Sequence, residues 1–401
     1  MKLGTINALF TLTLVGAAVL VFAAGHFGRL NRQSQEANDL ERRIHRVESG
    51  LVPLDPVKGE TATPKSLIER MRHYEVPGVS VAVIDNETIT WARGYGVADV
   101  ATGQTVEVDT RFQAASISKP VSAMAALHFV EQGKLNLDED VNRRLVAWKV
   151  TENEYTKTEK VTLRRILSHS AGLTVHAVPG YAVGQAVPSL VDILNGKTSA
   201  NAEPVVVDFV PGSKMRYSGG GFCVLQQLLI DVTGKSFPAL MQETVLGKLG
   251  MTDSTFDQPL SASQSAYAAT GYDEQGAPVP GRWRVYPEMA PAGLWTTSSD
   301  LALFAIEILK SREGKVNRVL SSSMTRQMLT PQIEGMGLGI FTNRSASPFS
   351  HGGGNEGFQC LLAAFADSGK GVVIMTNSDN ATNLIVEIVH SVAAEYGFPP
   401  E

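Results

Sequence analysis

A proline near the start of a long apolar run fixes where one helix must begin. Pro120 is tolerated without cost only in the first turn of a helix, where backbone N–H groups have no intrahelical partner. The residues that follow, as far as Gly133, are apolar on almost every face. This pattern predicts a buried helix that begins near Ser116 or Ile117 and ends at a glycine C-cap.

The first turn of this predicted helix carries the chain's only Ser-x-x-Lys pattern, at Ser116 and Lys119. There the helix dipole would stabilise a serine alkoxide, and the N–H of Ser116 would be free to donate to a substrate oxygen. Lys119 lies one turn further on the same face, and a desolvated lysine can be the base that a nucleophilic serine needs. The alternative is a polar helix start, with Ser116 as N-cap and Lys119 in solvent.

Composition excludes some classes of function. The chain of 401 residues has a net charge of −5, and no basic tract indicates nucleic-acid binding. It contains no C-x-x-C, no H-E-x-x-H and no dense cluster of histidine and cysteine, so we expect no metal and no cofactor. The two cysteines, Cys223 and Cys360, either pair in an oxidising compartment or remain buried thiols, and both alternatives stay open.

The N-terminal residues carry a targeting signal. After Lys2, an apolar run from about Ile6 to Ala24 is near the length that spans a bilayer. Residues 1–28 are therefore expected to be an uncleaved membrane anchor or a cleaved signal peptide, the anchor being slightly favoured. Either form would place the remaining chain in the cell envelope or outside the cell. Residues 29–63 are charged and then contain proline, which predicts a polar stalk or linker.

Strand-like runs at both ends of the remaining chain bracket a helical middle. Early strands are expected at 79–85 and 89–97, joined by a turn at Asn86 and Glu87, and late strands at 337–341, 357–365 and 371–377. This layout predicts one α/β domain of the α+β type, in which helices flank an antiparallel sheet of about five strands. The domain would span residues 64–398, with its sheet region at 64–115 and 285–398 and an inserted helical region at 116–284.

Two further segments carry side chains suited to catalysis. Tyr217 stands on a glycine-rich bend before a predicted helix, and its phenol, deprotonated beside a cationic lysine, would be a general base. The alternative is a tyrosine that only packs over a helix start. His351 begins a run of glycines between two predicted strands. A strand follows this run where a dinucleotide site needs a helix, and no G-x-S-x-G elbow accompanies it. The run therefore predicts a bare sheet edge that a substrate carbonyl can approach.

Three motifs together resemble those of the penicillin-recognising serine hydrolases. They are Ser116-x-x-Lys119, Tyr217-Ser218-Gly219 and His351-Gly352-Gly353. More closely, the chain resembles the class C β-lactamase-like family, which includes D,D-peptidases, esterases and D-amino-acid peptidases. The likeness covers about residues 64–398, and the stretches 163–173, 249–255 and 291–301 support it.

The resemblance implies a role for each motif. Ser116 would be acylated, Lys119 would lower its proton affinity, and Tyr217 would shuttle protons. Backbone N–H groups of Ser116 and Gly354 would form the oxyanion hole, with Gly353 and Gly219 beside the substrate. His351 stands where many members carry lysine and some carry histidine. His169, within another family signature, is expected to make a structural hydrogen bond at a helix end.

Gly219 departs from the family pattern, which usually reads Tyr-x-Asn. The resemblance implies that the missing amide would contact a substrate side chain, so we expect esterase or peptidase activity and little β-lactam hydrolysis. The expected protein is an exported serine hydrolase that works through an acyl-enzyme on a small-molecule or peptide substrate, such as a cell-wall peptide. The alternative is a catalytically silent envelope protein of the same fold that binds cell-wall peptides or partners.

Overall fold

The computed structural model describes residues 34–55, 63–345 and 347–399. Within these ranges, no helix is both long enough and apolar enough to cross a membrane. The segment expected to be an anchor or signal peptide, residues 1–28, lies outside the described residues.

An antiparallel sheet of seven strands lies at the centre of the described chain, in the order β3-β2-β1-β11-β10-β9-β8. Five of its strands are long and the two at its edges have two residues each, so the predicted antiparallel sheet of about five strands is confirmed. Its members are β1 (Gly78–Asp85), β2 (Thr88–Asp99), β3 (Gln104–Thr105), β8 (Phe341–Thr342), β9 (Pro348–Asn355), β10 (Phe358–Phe365) and β11 (Lys370–Thr376). Two small ladders pair β4 (Phe112–Gln113) with β7 (Trp295–Thr296), and β5 (Tyr181–Ala182) with β6 (Arg284–Val285).

Helices cover both faces of this sheet, and others form most of the region between β4 and β7. They are α1 (34–49), α2 (Leu67–His73), α3 (Ser118–Glu131), α4 (Leu163–Leu167), α5 (Leu190–Leu194), α6 (Gly219–Thr233), α7 (Phe237–Met241), α8 (Gly247–Leu249), α9 (Ala262–Ser265), α10 (Met289–Ala292), α11 (Ser298–Arg312), α12 (Ser322–Leu329) and α13 (Thr382–Tyr396). Because side chains alternate along a strand, Val81 and Val83 of β1 join the core under α1, α2 and α13. Ala82 and Ile84 join the larger core, which contains α3, α6 and α11. The catalytic candidates lie on this second side.

The N-terminal part of the described chain differs from the predicted stalk. Ile44, Val47 and Leu51 of residues 34–55 are buried in the core that α13 shares. Arg46 of α1 donates two hydrogen bonds of 2.7 Å to Glu395 of α13. Residues 34–55 are therefore part of the folded body and not a free linker, because one face of α1 is apolar although its other faces are charged.

The structure also refines the sequence predictions for two strands and for the two cysteines. The strand expected at 337–341 is reduced to β8, because residues 338–340 form a bend before it. The glycine-rich run that follows is itself a full strand, β9. Cys223 and Cys360 are buried free thiols, which decides between the two alternatives left open above.

Candidate active site

Ser116 lies on a strained turn that leads into α3. A single 3-10 turn, Ala115–Ile117, precedes the helix, so Pro120 falls in the first turn as predicted. Ala115 has a φ of 46°, a left-handed conformation that non-glycine residues rarely adopt. The hydroxyl of Ser118 donates to the Ala115 carbonyl over 2.5 Å and accepts from the Leu294 N–H over 3.0 Å. These bonds hold the turn, which leaves Ser116 partly exposed.

Lys119 reaches back to the serine from inside the protein. Its Nζ lies 2.8 Å from Ser116 Oγ and 2.9 Å from the Pro291 carbonyl oxygen, while only 2% of the residue is exposed. No carboxylate of the described residues lies within ion-pair distance of it. Burial strips water from the ammonium and so lowers the pKa of Lys119 to about 7. A neutral amine fits these contacts, because it donates to the Pro291 carbonyl and keeps a lone pair for the Ser116 proton.

Tyr217 closes the other side of the lysine. Its ring centroid lies 4.8 Å from Lys119 Nζ, and its ring is stacked on that of His169 at 4.2 Å. Burial raises the pKa of Tyr217 to about 12, although a hydrogen bond with Ser116 acts in the opposite direction. The phenol is therefore the group that keeps its proton, and the lysine is the group that loses it more easily. The sequence suggested the opposite charge states, a deprotonated Tyr217 beside a protonated Lys119.

His351 enters the same pocket from β9. Its Nδ1 lies 2.6 Å from the Gly352 carbonyl oxygen, and since a carbonyl only accepts, Nδ1 must carry the proton. Nε2 then keeps its lone pair, and it has no hydrogen-bond partner within the described chain. Burial, and secondly the charge of Lys119, lower the pKa of His351 to about 3, so the imidazole is neutral. Its ring lies 6.2 Å from that of Tyr217.

His169 supports the tyrosine from behind. It follows the end of α4, where it has a φ of 54°, and its Nδ1 accepts the Ser218 N–H over 3.1 Å. This is the structural hydrogen bond expected from the sequence. Desolvation holds the pKa of His169 well below its usual range, so the ring is neutral and packs flat against Tyr217.

The glycines of β9 bring a bare strand against the serine turn. A Cβ at Gly353 would lie 2.3 Å from the Ala114 carbonyl oxygen and 2.5 Å from Cys360 Sγ, so only glycine fits there. The short strand β8 pairs with only two residues of β9, Phe349 and Ser350. The outer edge of residues 352–355 therefore lacks a strand partner among the residues described, and Gly354 lies on that exposed part.

The structure thus brings Ser116, Lys119, Tyr217 and His351 together, as the sequence predicted. Gly219 is placed differently, because it is buried in the first turn of α6 and its N–H donates to the His176 carbonyl over 3.0 Å. Its backbone is therefore not free for a substrate. Sequence reasoning missed two aromatic neighbours of the tyrosine. The ring of His176 lies 5.2 Å away and that of Phe341 lies 6.4 Å away, and neither belongs to a motif.

Similarity to known proteins covers most of the chain. A family model described as Beta-lactamase matches residues 65–387. The unguisins hydrolase ungD of Aspergillus violaceofuscus is 24% identical over 367 residues, which cover 80% of this chain and 61% of the hydrolase. Protein flp of Staphylococcus aureus is 24% identical over 317 residues, which cover 75% of this chain and 60% of flp. The chain thus spans about three fifths of the length of these relatives.

Solved structures share the fold at low sequence identity. The octameric penicillin-binding protein homologue from Pyrococcus abyssi superposes with a TM-score of 0.65 at 24% identity, over 84% of this chain and 77% of that one. The D-alanine carboxypeptidase AmpC from Burkholderia cenocepacia superposes with a TM-score of 0.66 at 18% identity, over 89% of this chain and 99% of that one. Because the family model matches most of its length, this chain belongs to the beta-lactamase family.

Proposed function

We propose that this protein is a serine hydrolase that cleaves an ester or amide through an acyl-enzyme on Ser116. The observation that carries the proposal is the contact of 2.8 Å between Lys119 Nζ and Ser116 Oγ, made by a fully buried lysine. A serine hydroxyl is a weak nucleophile until an adjacent base takes its proton. A buried amine with a pKa of about 7 is such a base at neutral pH.

Acylation would begin with the neutral amine. Lys119 takes the proton of Ser116 as Oγ forms its bond to the substrate carbonyl carbon, and the carbonyl oxygen becomes an oxyanion. The Pro291 carbonyl holds the amine in place through its other hydrogen bond. The N–H groups of Ser116 and Gly354 are the proposed donors to the oxyanion. Proton transfer by a positioned base contributes about 10²–10⁴-fold to the rate of such a step.

Collapse of the tetrahedral intermediate needs a proton for the leaving group. Tyr217 is the proposed relay, because its phenol keeps its proton, is hydrogen-bonded to Ser116 and lies beside the lysine. It would protonate the leaving oxygen or nitrogen and recover a proton from the Lys119 ammonium. Water would then attack the acyl-enzyme. Tyr217 and Lys119 would take a proton from the water and return one to Ser116 Oγ as the acyl group leaves. The lone pair of His351 Nε2 offers an acceptor on the side of the site that β9 forms.

The proposed substrate is a peptide-like or ester compound outside the cytoplasm. The unpaired edge of residues 352–355 offers backbone groups to an extended substrate, as sheet edges do in peptide recognition. The printed names of a related hydrolase and of a structurally similar D-alanine carboxypeptidase agree with an amide or ester substrate. The apolar run before residue 28 would export the domain, which fits a cell-envelope location and a cell-wall peptide as substrate.

Covalent labelling tests the proposal directly. We expect a fluorophosphonate probe to label the wild type, and Ser116→Ala to lose the label. Ser199→Ala, a change at an exposed serine, should keep it. Intact mass after incubation with a nitrophenyl ester, a D-Ala-D-Ala peptide and a cephalosporin would identify the acyl group accepted. Labelling at another serine, or peptide binding without an adduct or turnover, would contradict the proposal, and the second result would support the silent binding protein.

A further inference from the structure

A buried asparagine ends the strand that carries His351 and Gly354. Asn355 is the last residue of β9, and only 8% of it is exposed. Side chains alternate along a strand, so Asn355 lies on the same face of β9 as the buried His351, whereas Gly354 lies on the exposed face. A primary amide enclosed in this way must find its hydrogen-bond partners within the protein.

The amide of Asn355 joins β9 to two segments that hold the catalytic pair. Its Nδ2 donates to Gln113 Oε1 over 2.9 Å and to the Ala292 carbonyl oxygen over 3.2 Å. Gln113 ends β4, three residues before Ser116. Ala292 follows Pro291, whose carbonyl oxygen accepts the hydrogen bond of the catalytic lysine. One side chain therefore links the strand of the proposed oxyanion donor, the serine turn and the segment that holds the base.

Backbone carbonyl groups fix the orientation of both amides. Gln113 is 1% exposed, and its Nε2 donates to the Arg284 carbonyl oxygen over 2.7 Å. A carbonyl oxygen only accepts, so the amino group of Gln113 must face Arg284 and its Oε1 must face Asn355. For the same reason the amino group of Asn355 must face Ala292. Reversal of either amide would place two acceptors against each other.

Arg284, in β6, also holds the residue that follows Asn355. Its guanidinium donates to the carboxylate of Glu356 over 2.7 Å and 3.1 Å. The connection from Gln113 through Asn355 and Glu356 therefore returns to Arg284, whose carbonyl binds Gln113. The outer edge of residues 352–355 lacks a strand partner among the described residues, so these side-chain contacts restrain an end of β9 that only β10 pairs.

We propose that Asn355 is a positioning residue, which holds the N–H of Gly354 at the distance from Ser116 that an oxyanion hole requires. This inference rests on the proposed function and adds to it a residue that acts through the backbone of others. Oxyanion donors are effective only within hydrogen-bond distance of the developing charge. A misplacement of about 1 Å can cost about 100-fold in rate. Without the amide, β9 would no longer be joined to the serine turn and to Ala292 by these two hydrogen bonds.

The rate of phosphonylation by a fluorophosphonate probe tests this inference. The rate constant at saturating probe, kinact, reports on the serine, its base and the oxyanion hole, whereas KI reports on binding of the probe. In Asn355→Ala we expect kinact to fall about 10- to 100-fold while KI changes by less than about threefold. Gln113→Met leaves the bond to Ala292 in place, so its kinact should fall by less than about tenfold. Asn383→Ala, at an exposed asparagine of α13, is the matched control and should react like the wild type.

The double variant tests whether the two amides act as one unit. Gln113→Met combined with Asn355→Ala should react no more slowly than Asn355→Ala alone, because the loss of Asn355 already breaks the connection. Losses that multiply would show that the two side chains act separately and would overturn the network. If Asn355→Ala does not fold, Asn355→Ser repeats the measurement, since its hydroxyl is too short to reach both acceptors.

Urea unfolding of the same variants separates positioning from stability. If Asn355→Ala unfolds at lower urea but keeps the wild-type kinact, the amide only stabilises the fold and the inference is wrong. A change confined to KI also refutes it. If the wild type is not phosphonylated at Ser116, the proposed function fails and this inference with it. A labelled wild type with an equally reactive Asn355→Ala overturns the inference alone.

Discussion

The buried amine of Lys119 should make the stability of the protein depend on pH in a predictable direction. In the unfolded chain the pKa of this lysine returns to its ordinary value of 10.5, whereas burial lowers it to about 7 in the folded protein. Between these two values the unfolded chain binds a proton that the folded chain lacks. The free energy of unfolding must therefore rise with pH across that window. Lys119→Met replaces the amine with an apolar group and removes this dependence.

The size of this change in the free energy of unfolding follows from the difference between the two pKa values, 10.5 and about 7. At 1.36 kcal/mol for each pH unit, the protonated lysine costs the folded state about 5 kcal/mol at about pH 6. At about pH 9.5 roughly 1.4 kcal/mol of that cost remains, because this pH lies only about one unit below the pKa of the lysine in the unfolded chain. Relative to the wild type, Lys119→Met should therefore be more stable at the lower pH than at the higher pH by about 3 kcal/mol. The hydrogen bonds lost with the amine contribute at both pH values and largely cancel.

Urea unfolding followed by tryptophan fluorescence measures this difference. Wild type and Lys119→Met would be compared at pH 6 and 9.5, so that other titrating groups cancel within each pair. Lys157→Met, at an exposed lysine, is the control and should show no such change. If the difference between Lys119→Met and the wild type changes by less than about 1 kcal/mol between the two pH values, Lys119 keeps its ordinary pKa when folded. The proposed role as a neutral base would then lose its physical basis.

Three further outcomes follow from the structure. Because protonated Lys119 cannot accept a proton, kcat/KM should fall about tenfold for each pH unit below about 7, and a profile that is flat from pH 5 to 8 would exclude this base. Gly353→Ala should abolish fluorophosphonate labelling, since its Cβ would lie 2.3 Å from a backbone oxygen, whereas Gly352→Ala, with its nearest contact at 3.8 Å, should keep it. Glu387→Ala breaks a buried ion pair and should lower the free energy of unfolding by about 3–5 kcal/mol, against less than about 1 kcal/mol for the exposed Arg46→Ala. Equal losses in a urea titration would argue against that difference in burial.

Local signals in the sequence were enough to place the serine and its helix. Pro120 and the apolar run after it fixed the first turn of α3, because both depend on neighbours in the chain. The hairpin at Asn86 and Glu87 was equally local, and both residues adopt positive φ, at 51° and 57°. The ordered motifs then predicted which distant side chains would meet, and the structure brings those of Ser116 and His351 into one pocket.

Features that depend on distant packing were harder to predict. Leu40, Ile44, Val47 and Leu51 recur at helical spacing, and this apolar stripe was the available signal that α1 packs against the domain. Charged residues dominate the rest of that segment, so its composition indicated a stalk. The glycine run was predicted as a bare sheet edge, but its glycines have low strand propensity, so the full length of β9 was not predicted. This strand pairs with β10, which follows it after a two-residue turn, and it packs against the serine turn, which is distant in the sequence.

The distribution of protons in the site could not be predicted from residue types. A lysine beside a tyrosine is compatible with either group losing its proton first. The structure decides in favour of Lys119, because the lysine is fully enclosed and Tyr217 is also shielded from water. The position of His176 was equally invisible, since it follows from a strained turn at Val175 that caps a helix more than forty residues later.

The central place of β1 in the sheet has a consequence for biosynthesis. Val81 of β1 pairs with Ile374 of β11, so the hairpin made early in translation must wait for a strand that follows the whole helical region. Until then one long apolar edge is unpaired, which favours chaperone binding to the nascent chain. The strand that brings His351 beside Ser116 is also made late. The candidate active site is therefore complete only after β9 and β11 have been made and the sheet has closed.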